Sequence, residues 1–126
     1  MIQDAEIRKI GYARVSTEEQ ELSLQLDALK RAGCAKIFSE KASGKKADRP
    51  ALQDALNHLQ PGDVFVVWKL DRLGRSVKDL VGFVDQLKEQ EVQFCSLTDG
   101  IDTTTPAGRF FFHVMAALAE MEADLI

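Results

Sequence analysis

Val64-Phe65-Val66-Val67-Trp68 is apolar at every position. A strand with one face in water alternates apolar and polar residues. A run without alternation is the pattern of a strand buried on both faces, as in a parallel sheet. Pro61-Gly62-Asp63 before it reads as a turn, and Lys69 to Ser76 after it as a loop. Working outward, Lys9 to Val15 is a first strand, and residues 18–32 form a helix with Leu22, Leu26 and Leu29 at i, i+4 and i+7. Gly33 is a suitable stop for that helix. Ala35 to Ser39 is a short strand, and Glu40 to Ala47 a polar loop containing Ser43-Gly44. Asp48 caps a helix with Pro50 in its first turn and Leu52, Leu56 and Leu59 on its apolar side. Beyond the central strand, a helix runs from about Val77 to Gln90, a strand from Val92 to Leu97 and a polar loop from Thr98 to Thr105. A last helix starts near Pro106 and reaches Ile126.

Alternation of this kind predicts an α/β fold: a mostly parallel sheet of four to five strands flanked by helices, followed by a long C-terminal helix. Residues 1–105 form the predicted α/β core, and 106–126 begin the long helix. Ligands of such sheets bind beyond the carboxyl ends of the strands. Ser16 follows the first strand and Lys69 the third, so both stretches are expected at one edge.

Bulk properties narrow the function classes. The 126 residues fit one domain, and the net charge of −4 argues against a stand-alone DNA-binding domain, which is normally basic. Local basic clusters remain: Lys41, Lys45, Lys46 and Arg49, and Lys69, Arg72, Arg75 and Lys78. Either also fits an ordinary solvated surface. Cys34 and Cys95 fit no metal or redox spacing and read as core thiols. Met1 to Lys9 lacks the features of a signal peptide, and the longest apolar run, Phe110 to Ala119, is interrupted by His113 and too short for a bilayer.

Tyr12-Ala13-Arg14-Val15-Ser16-Thr17 carries the first candidate chemistry. Arg14 and Ser16 point to one face of the strand, about 6–7 Å apart. A guanidinium inside an apolar strand costs several kcal/mol unless paired or hydrogen-bonded. One reading is a nucleophile aimed at an anion. The other is a structural arginine beside a helix-capping serine. The second stretch is Leu70-Asp71-Arg72-Leu73-Gly74-Arg75-Ser76, two arginines opening a helix whose N-terminus favours anions. Arginine suits phosphate because its planar fork binds two oxygens and stays charged. Asp71 orients an arginine or moves a proton, or else forms a surface ion pair of small worth. There is no G-x-S-x-G elbow, Walker A loop, dinucleotide fingerprint or metal-ligand spacing. His58 and His113 lie within predicted helices, away from this edge, which disfavours a Ser-His-Asp triad.

Taken together, Tyr12-Ala13-Arg14-Val15-Ser16-Thr17, Lys41-Ala42-Ser43-Gly44, Asp48-Arg49-Pro50 and Leu70-Asp71-Arg72-Leu73-Gly74-Arg75 resemble, in order and spacing, the motifs of the serine recombinases, the resolvase and DNA-invertase family. Gly108-Arg109-Phe110-Phe111-Phe112-His113-Val114-Met115 looks most like the invertase branch. The resemblance implies that Ser16 attacks a DNA phosphodiester and becomes a phosphoserine linked to the 5′ end. It implies that Arg14, Arg72 and Arg75 bind the scissile phosphate and stabilise its transition state, that Arg49 also belongs to the site, that Asp71 aids proton transfer or orients arginines, and that Gln20, Gln25 and Ser43 are supporting polar residues. Strand exchange and religation then need no ATP, metal or other cofactor. The implied partners are DNA, a second copy in a homodimer, a tetramer in the synaptic complex and an accessory DNA-bending protein, without any membrane. The implied location is cytoplasmic, at the bacterial nucleoid. Glu122-Ala123 departs from the Glu-Arg found in many members.

Phe110, Phe111, Phe112, Val114, Met115, Leu118 and Met121 crowd almost all faces of the last helix. One sheet cannot cover them all, so a second chain is expected there, the alternative being a monomer core helix. The helix lacks a stop signal at Leu125-Ile126. The resemblance implies that it continues into DNA and then a helix-turn-helix domain, absent from this chain. Two other functions compete with the recombinase: a non-catalytic dimerising module that bridges DNA, and a small phosphate-binding α/β hydrolase.

Overall fold

The computed structural model describes residues 7–15, 19–41, 50–69 and 77–125. Nine elements follow in the order β1 (Lys9–Val15), α1 (Glu19–Arg31), β2 (Cys34–Lys41), α2 (Pro50–His58), β3 (Val64–Val67), α3 (Val77–Glu89), β4 (Gln93–Ser96), β5 (Ile101–Asp102) and α4 (Pro106–Leu125). They build one five-stranded sheet in the order β2-β1-β3-β4-β5. The first four strands are parallel, and β5 is antiparallel to β4. The predicted α/β architecture is therefore the observed one.

The unbroken apolar run of β3 has the predicted cause: all four residues are buried. Phe65 and Val67 face a core shared with Ile10, Tyr12, Phe94 and the inner sides of α2, α3 and α4. Phe65 sits at its centre, with ring centroids of Phe83 at 5.8 Å, Phe94 at 6.3 Å and Tyr12 at 6.4 Å. Val64 and Val66 face the opposite layer, with Ala13 and Leu29. Full burial of such side chains contributes roughly 1.5–3 kcal/mol each.

Two predicted boundaries move. β2 runs through Glu40 and Lys41, because β1 pairs with it along its whole length as far as Val15↔Lys41. β5 lies within the stretch expected to be loop. Its Ile101 is 1% exposed, and the Thr103 hydroxyl accepts the Phe94 N–H at 2.8 Å, which fastens the segment to β4. A two-residue strand has no periodicity to read. Cys34 and Cys95 are half-buried rather than fully internal. Burial pushes the Cys34 thiol from 9.0 to about 11, against the opposing effect of Lys9, and it raises Cys95 as well.

α4 begins at Pro106 as expected, and its first turn is locked to β5. The Thr105 hydroxyl caps it, accepting the Gly108 N–H at 3.0 Å. A Cβ at Gly108 would overlap the Asp102 carbonyl oxygen, so only glycine permits this approach. Phe112 is buried in the chain's own core, and Met115 packs against that core. Phe110, Phe111, Val114 and Met121 are exposed, by 70%, 41%, 38% and 54%. No helix among the described residues is long and apolar enough to cross a membrane.

Among the described residues, one ion pair closes the amino edge of the sheet. Arg8 just before β1 grips Asp63 just before β3 with two bonds, Nε to Oδ1 at 3.1 Å and Nη2 to Oδ2 at 2.6 Å. Burial alone would raise the Asp63 carboxyl. Hydrogen bonds from Arg8 and from the Gln60 N–H, with the Arg8 charge, outweigh it and hold the group below its ordinary 3.8. A carboxyl depressed on folding stabilises above its unfolded value, and that stability is lost as pH falls through the folded one. Asp63→Asn is expected to lower stability at pH 7 and to flatten its loss below pH 3.8 in urea titrations. An acid limb as steep as that of the parent chain would rule out this role.

Candidate active site at the carboxyl edge of the sheet

β1 and β3 are neighbours, while β2 flanks β1 on its other side. The chain thus crosses in opposite directions after β1 and after β2, which makes the β1/β3 boundary a topological switch point. β1 leads directly into residues 16–18, β2 into 42–49, and β3 into 70–76 after Trp68 and Lys69. Three segments rich in motif residues are therefore entered from the carboxyl ends of three adjacent parallel strands.

Ser16, Ser43, Arg49, Asp71, Arg72 and Arg75 lie outside the described residues, as does the expected cap Asp48. Gln20 is in the first turn of α1, and Leu118 is in α4; their side chains also lie outside the described set. Arg14 and Gln25 can be followed in detail, and they meet.

Arg14 is 5% exposed near the end of β1, and Gln25 on α1 is fully buried. The Gln25 carboxamide takes both backbone groups of Arg14. Its Oε1 accepts the Arg14 N–H at 3.1 Å, and its Nε2 donates to the Arg14 carbonyl at 2.9 Å. The need for this arises from the strands. β1 pairs with β3 only as far as Tyr12↔Val67, but with β2 it continues to Val15. Beyond Tyr12 the β3 side offers no further rung, and the side-chain amide serves as one. Buried backbone groups must be paired, so Gln25 lets β1 extend past its neighbour and carry Arg14 to the edge. A polar residue on the α1 stripe of Leu22, Leu26 and Leu29 was the available signal for burial.

Sequence reasoning gave no role to two further residues, Tyr12 as a side chain and Glu40. The Tyr12 hydroxyl donates to Glu40 Oε2 at 2.5 Å. The same carboxylate accepts the N–H groups of Ala51, at 3.0 Å, and Leu52, at 3.3 Å. Glu40 thereby satisfies first-turn donors of α2 and complements its dipole. It ties the end of β2 to β1 and to the start of α2, on either side of residues 42–49. The hydroxyl-to-carboxylate bond was illegible because Tyr12 and Glu40 meet only through the β1–β2 register.

Lys69, two residues beyond β3, holds its Nζ 4.8 Å from the centre of the Trp68 ring. The edge thus carries Arg14, Lys41 and Lys69 as described cations, with Glu40 engaged in capping. Such an edge favours an anionic ligand. Among the described residues no group of three or more His, Cys, Asp or Glu side chains is arranged to hold a metal ion.

A family model described as "Resolvase, N terminal domain" matches residues 9–126. The DNA-invertase of Escherichia phage P1 is 62% identical over 117 residues, which cover 93% of this chain and 63% of that protein. The serine recombinase gin of Escherichia phage Mu is 61% identical over 117 residues, covering 93% of this chain and 61% of that protein. The solved N-terminal catalytic domain of TP901-1 integrase is similar with a TM-score of 0.76 at 30% identity, covering 94% of this chain and 98% of that one. The chain spans less than two thirds of the two phage relatives.

The amide clamp has a measurable weight. Gln25→Leu keeps the volume but strands the Arg14 N–H and carbonyl. Each stranded buried group costs about 1–3 kcal/mol, so a loss of roughly 2–6 kcal/mol is expected in urea unfolding. A loss below about 1 kcal/mol would mean that the clamp is dispensable.

Proposed function

The chain belongs to the resolvase family of serine recombinases, on its invertase branch, and from that premise we propose that it is the catalytic domain of a site-specific DNA recombinase. Ser16 Oγ attacks a DNA phosphorus. The bond to the 3′ oxygen breaks, that oxygen leaves as a hydroxyl with the proton, and the 5′ phosphate stays on Ser16. Rejoining reverses this: the 3′ hydroxyl of the exchanged strand attacks the phosphoserine and releases the serine. Because the ester conserves the energy of the cut bond, no ATP is consumed. Arg14, Arg49, Arg72 and Arg75 bind the phosphate and stabilise the charge that develops on it. Asp71 orients arginines or moves the proton, and Gln20 and Ser43 support the site. Gln25 acts through Arg14.

The observation that carries this reading is the strand order. β1, β2 and β3 lie side by side and parallel, and their carboxyl ends lead to every stretch bearing a proposed catalytic residue. The buried Arg14, fixed at that edge by Gln25, supports it further.

α4 is proposed to begin a long dimerisation helix after a core of residues 1–105. Phe110, Val114 and Met121 fall within one narrow stripe of the helix, and each is exposed. Phe111 flanks the stripe. Phe112 and Met115 serve the chain's own core, so the interface offered to a second copy is narrower than the apolar composition implies. Synapsis of two DNA sites joins two dimers into a tetramer, with an accessory DNA-bending protein as a further partner. Reading of the DNA sequence, by a helix-turn-helix domain, is assigned to the part of the relatives that this chain does not match. Action on DNA sets the location at the bacterial nucleoid in the cytoplasm, and the relatives' names make inversion the proposed outcome.

Two experiments test the proposal. The chain continued by the C-terminal part of the phage P1 relative is incubated with that relative's DNA site carrying a nick. Protein covalently attached to the 5′ end is expected, and none with Ser16→Ala; attachment by that variant would sink the mechanism. For α4, Val114→Lys is expected to weaken self-association at least tenfold in sedimentation equilibrium, about 1.4 kcal/mol. A parent chain that stays monomeric at high concentration would remove the proposed interface.

A further inference from the structure

We propose that Lys69 is an additional DNA contact, seated on Trp68 and binding a phosphate of the backbone beside the one Ser16 attacks. The inference rests on the recombinase reading and adds to it a residue outside the arginine set.

Three observations lead to it. The first is the path of the chain. Arg14 is two residues past Tyr12, and Lys69 is two residues past Val67, the β3 partner of Tyr12. Lys69 therefore lies beyond β3 at about the level of the sheet edge that Arg14 reaches near the end of β1. The second is the anchoring of the peptide that carries Lys69. The Trp68 carbonyl accepts two bonds from one residue, the Thr98 N–H at 3.0 Å and the Thr98 hydroxyl at 2.8 Å. One step earlier the Leu97 N–H donates to the Val67 carbonyl at 3.0 Å. A carbonyl with both lone pairs engaged fixes the plane of the peptide that ends at Lys69. The third is the state of the ammonium. It lies 4.8 Å from the Trp68 ring centre, on a half-buried residue, and forms no ion pair with a described residue.

A lysine so held has lost part of its rotamer freedom before any ligand arrives, which lowers the entropic cost of using it in binding. The ring face stabilises the cation without neutralising it. With no described carboxylate to satisfy it, the charge is available to an external anion. In the proposed reaction that anion is a backbone phosphate next to the scissile one. A structural lysine fastened to its own tryptophan would stiffen this turn and leave DNA binding unaffected.

Salt dependence separates the two. Each phosphate contact by a cation contributes about 0.9 to the slope of log affinity against log salt. The chain continued by the C-terminal part of the phage P1 relative is titrated onto that relative's DNA site between 50 and 200 mM salt, parent against Lys69→Gln and Lys69→Arg. Lys69→Gln is expected to reduce the slope by about one and to weaken binding roughly three- to tenfold at the low-salt end. Lys69→Arg should keep both, because it retains the charge. Melting temperatures of the three proteins report on folding. Parent-like slope and affinity in a folded Lys69→Gln protein would overturn the inference. So would an equal slope loss in Lys69→Arg. Failure of the recombinase reading looks different: the parent would then give no Ser16-dependent covalent attachment to DNA. Attachment that depends on Ser16, together with an unchanged slope, would reject Lys69 alone.

Discussion

A single buried carboxamide sets the reach of β1. β1 outlasts β3 on one side, and a strand that outlasts its neighbour exposes unpaired N–H and carbonyl groups inside the protein. Gln25 supplies both missing partners to Arg14. The arrangement links packing to electrostatics. α1 must dock with its leucines on the β1–β2 layer, and only then does the buried Gln25 side chain reach the backbone of Arg14. The cation at the sheet edge is thus held by a hydrophobic contact made elsewhere on the helix.

The two edges of the sheet are built on different principles. At the amino edge Arg8 and Asp63 pair with each other, so charge is consumed within the fold. At the carboxyl edge acid is used on backbone donors, because Glu40 caps α2 and accepts from Tyr12. Lys41 and Lys69, beside the buried Arg14, then contribute positive charge at this edge. A chain with net charge −4 can in this way present a local surface suited to phosphate. Overall charge is a poor guide to such a site; the distribution of acid between helix caps and ion pairs decides it.

This also explains what was legible in the sequence. Long-period signals survived translation into structure: the unbroken Val64–Val67 run, the leucines of α1, and Pro106 opening α4. Glu40 was read as loop because a polar residue after Ser39 carries no local mark of strand. Its pairing comes from β1, and the partner of its carboxylate is 28 residues away. Ile101 was hidden for the opposite reason, since one buried side chain in a polar stretch makes no pattern. For the site, resemblance to the family flagged Gln25 as polar support, but no sequence argument shows that its amide replaces a strand. That depends on where β3 stops, which is a property of the sheet.

α4 shows how composition and packing diverge. Its aromatic run looked uniformly buried, yet the first turn is fixed by Gly108 against the Asp102 carbonyl, and this sets the rotation of everything after it. With that rotation Phe112 turns inward, while Phe110, Val114 and Met121 turn out. The exposed apolar stripe is therefore a consequence of a glycine contact at the end of the sheet. Because β5 pairs antiparallel with β4, and β4 pairs with β3, the helix face proposed for a second copy and the edge carrying Arg14 and Lys69 are referenced to the same sheet. A dimer formed through that face, as proposed, would take its geometric reference from the sheet that carries the proposed chemistry.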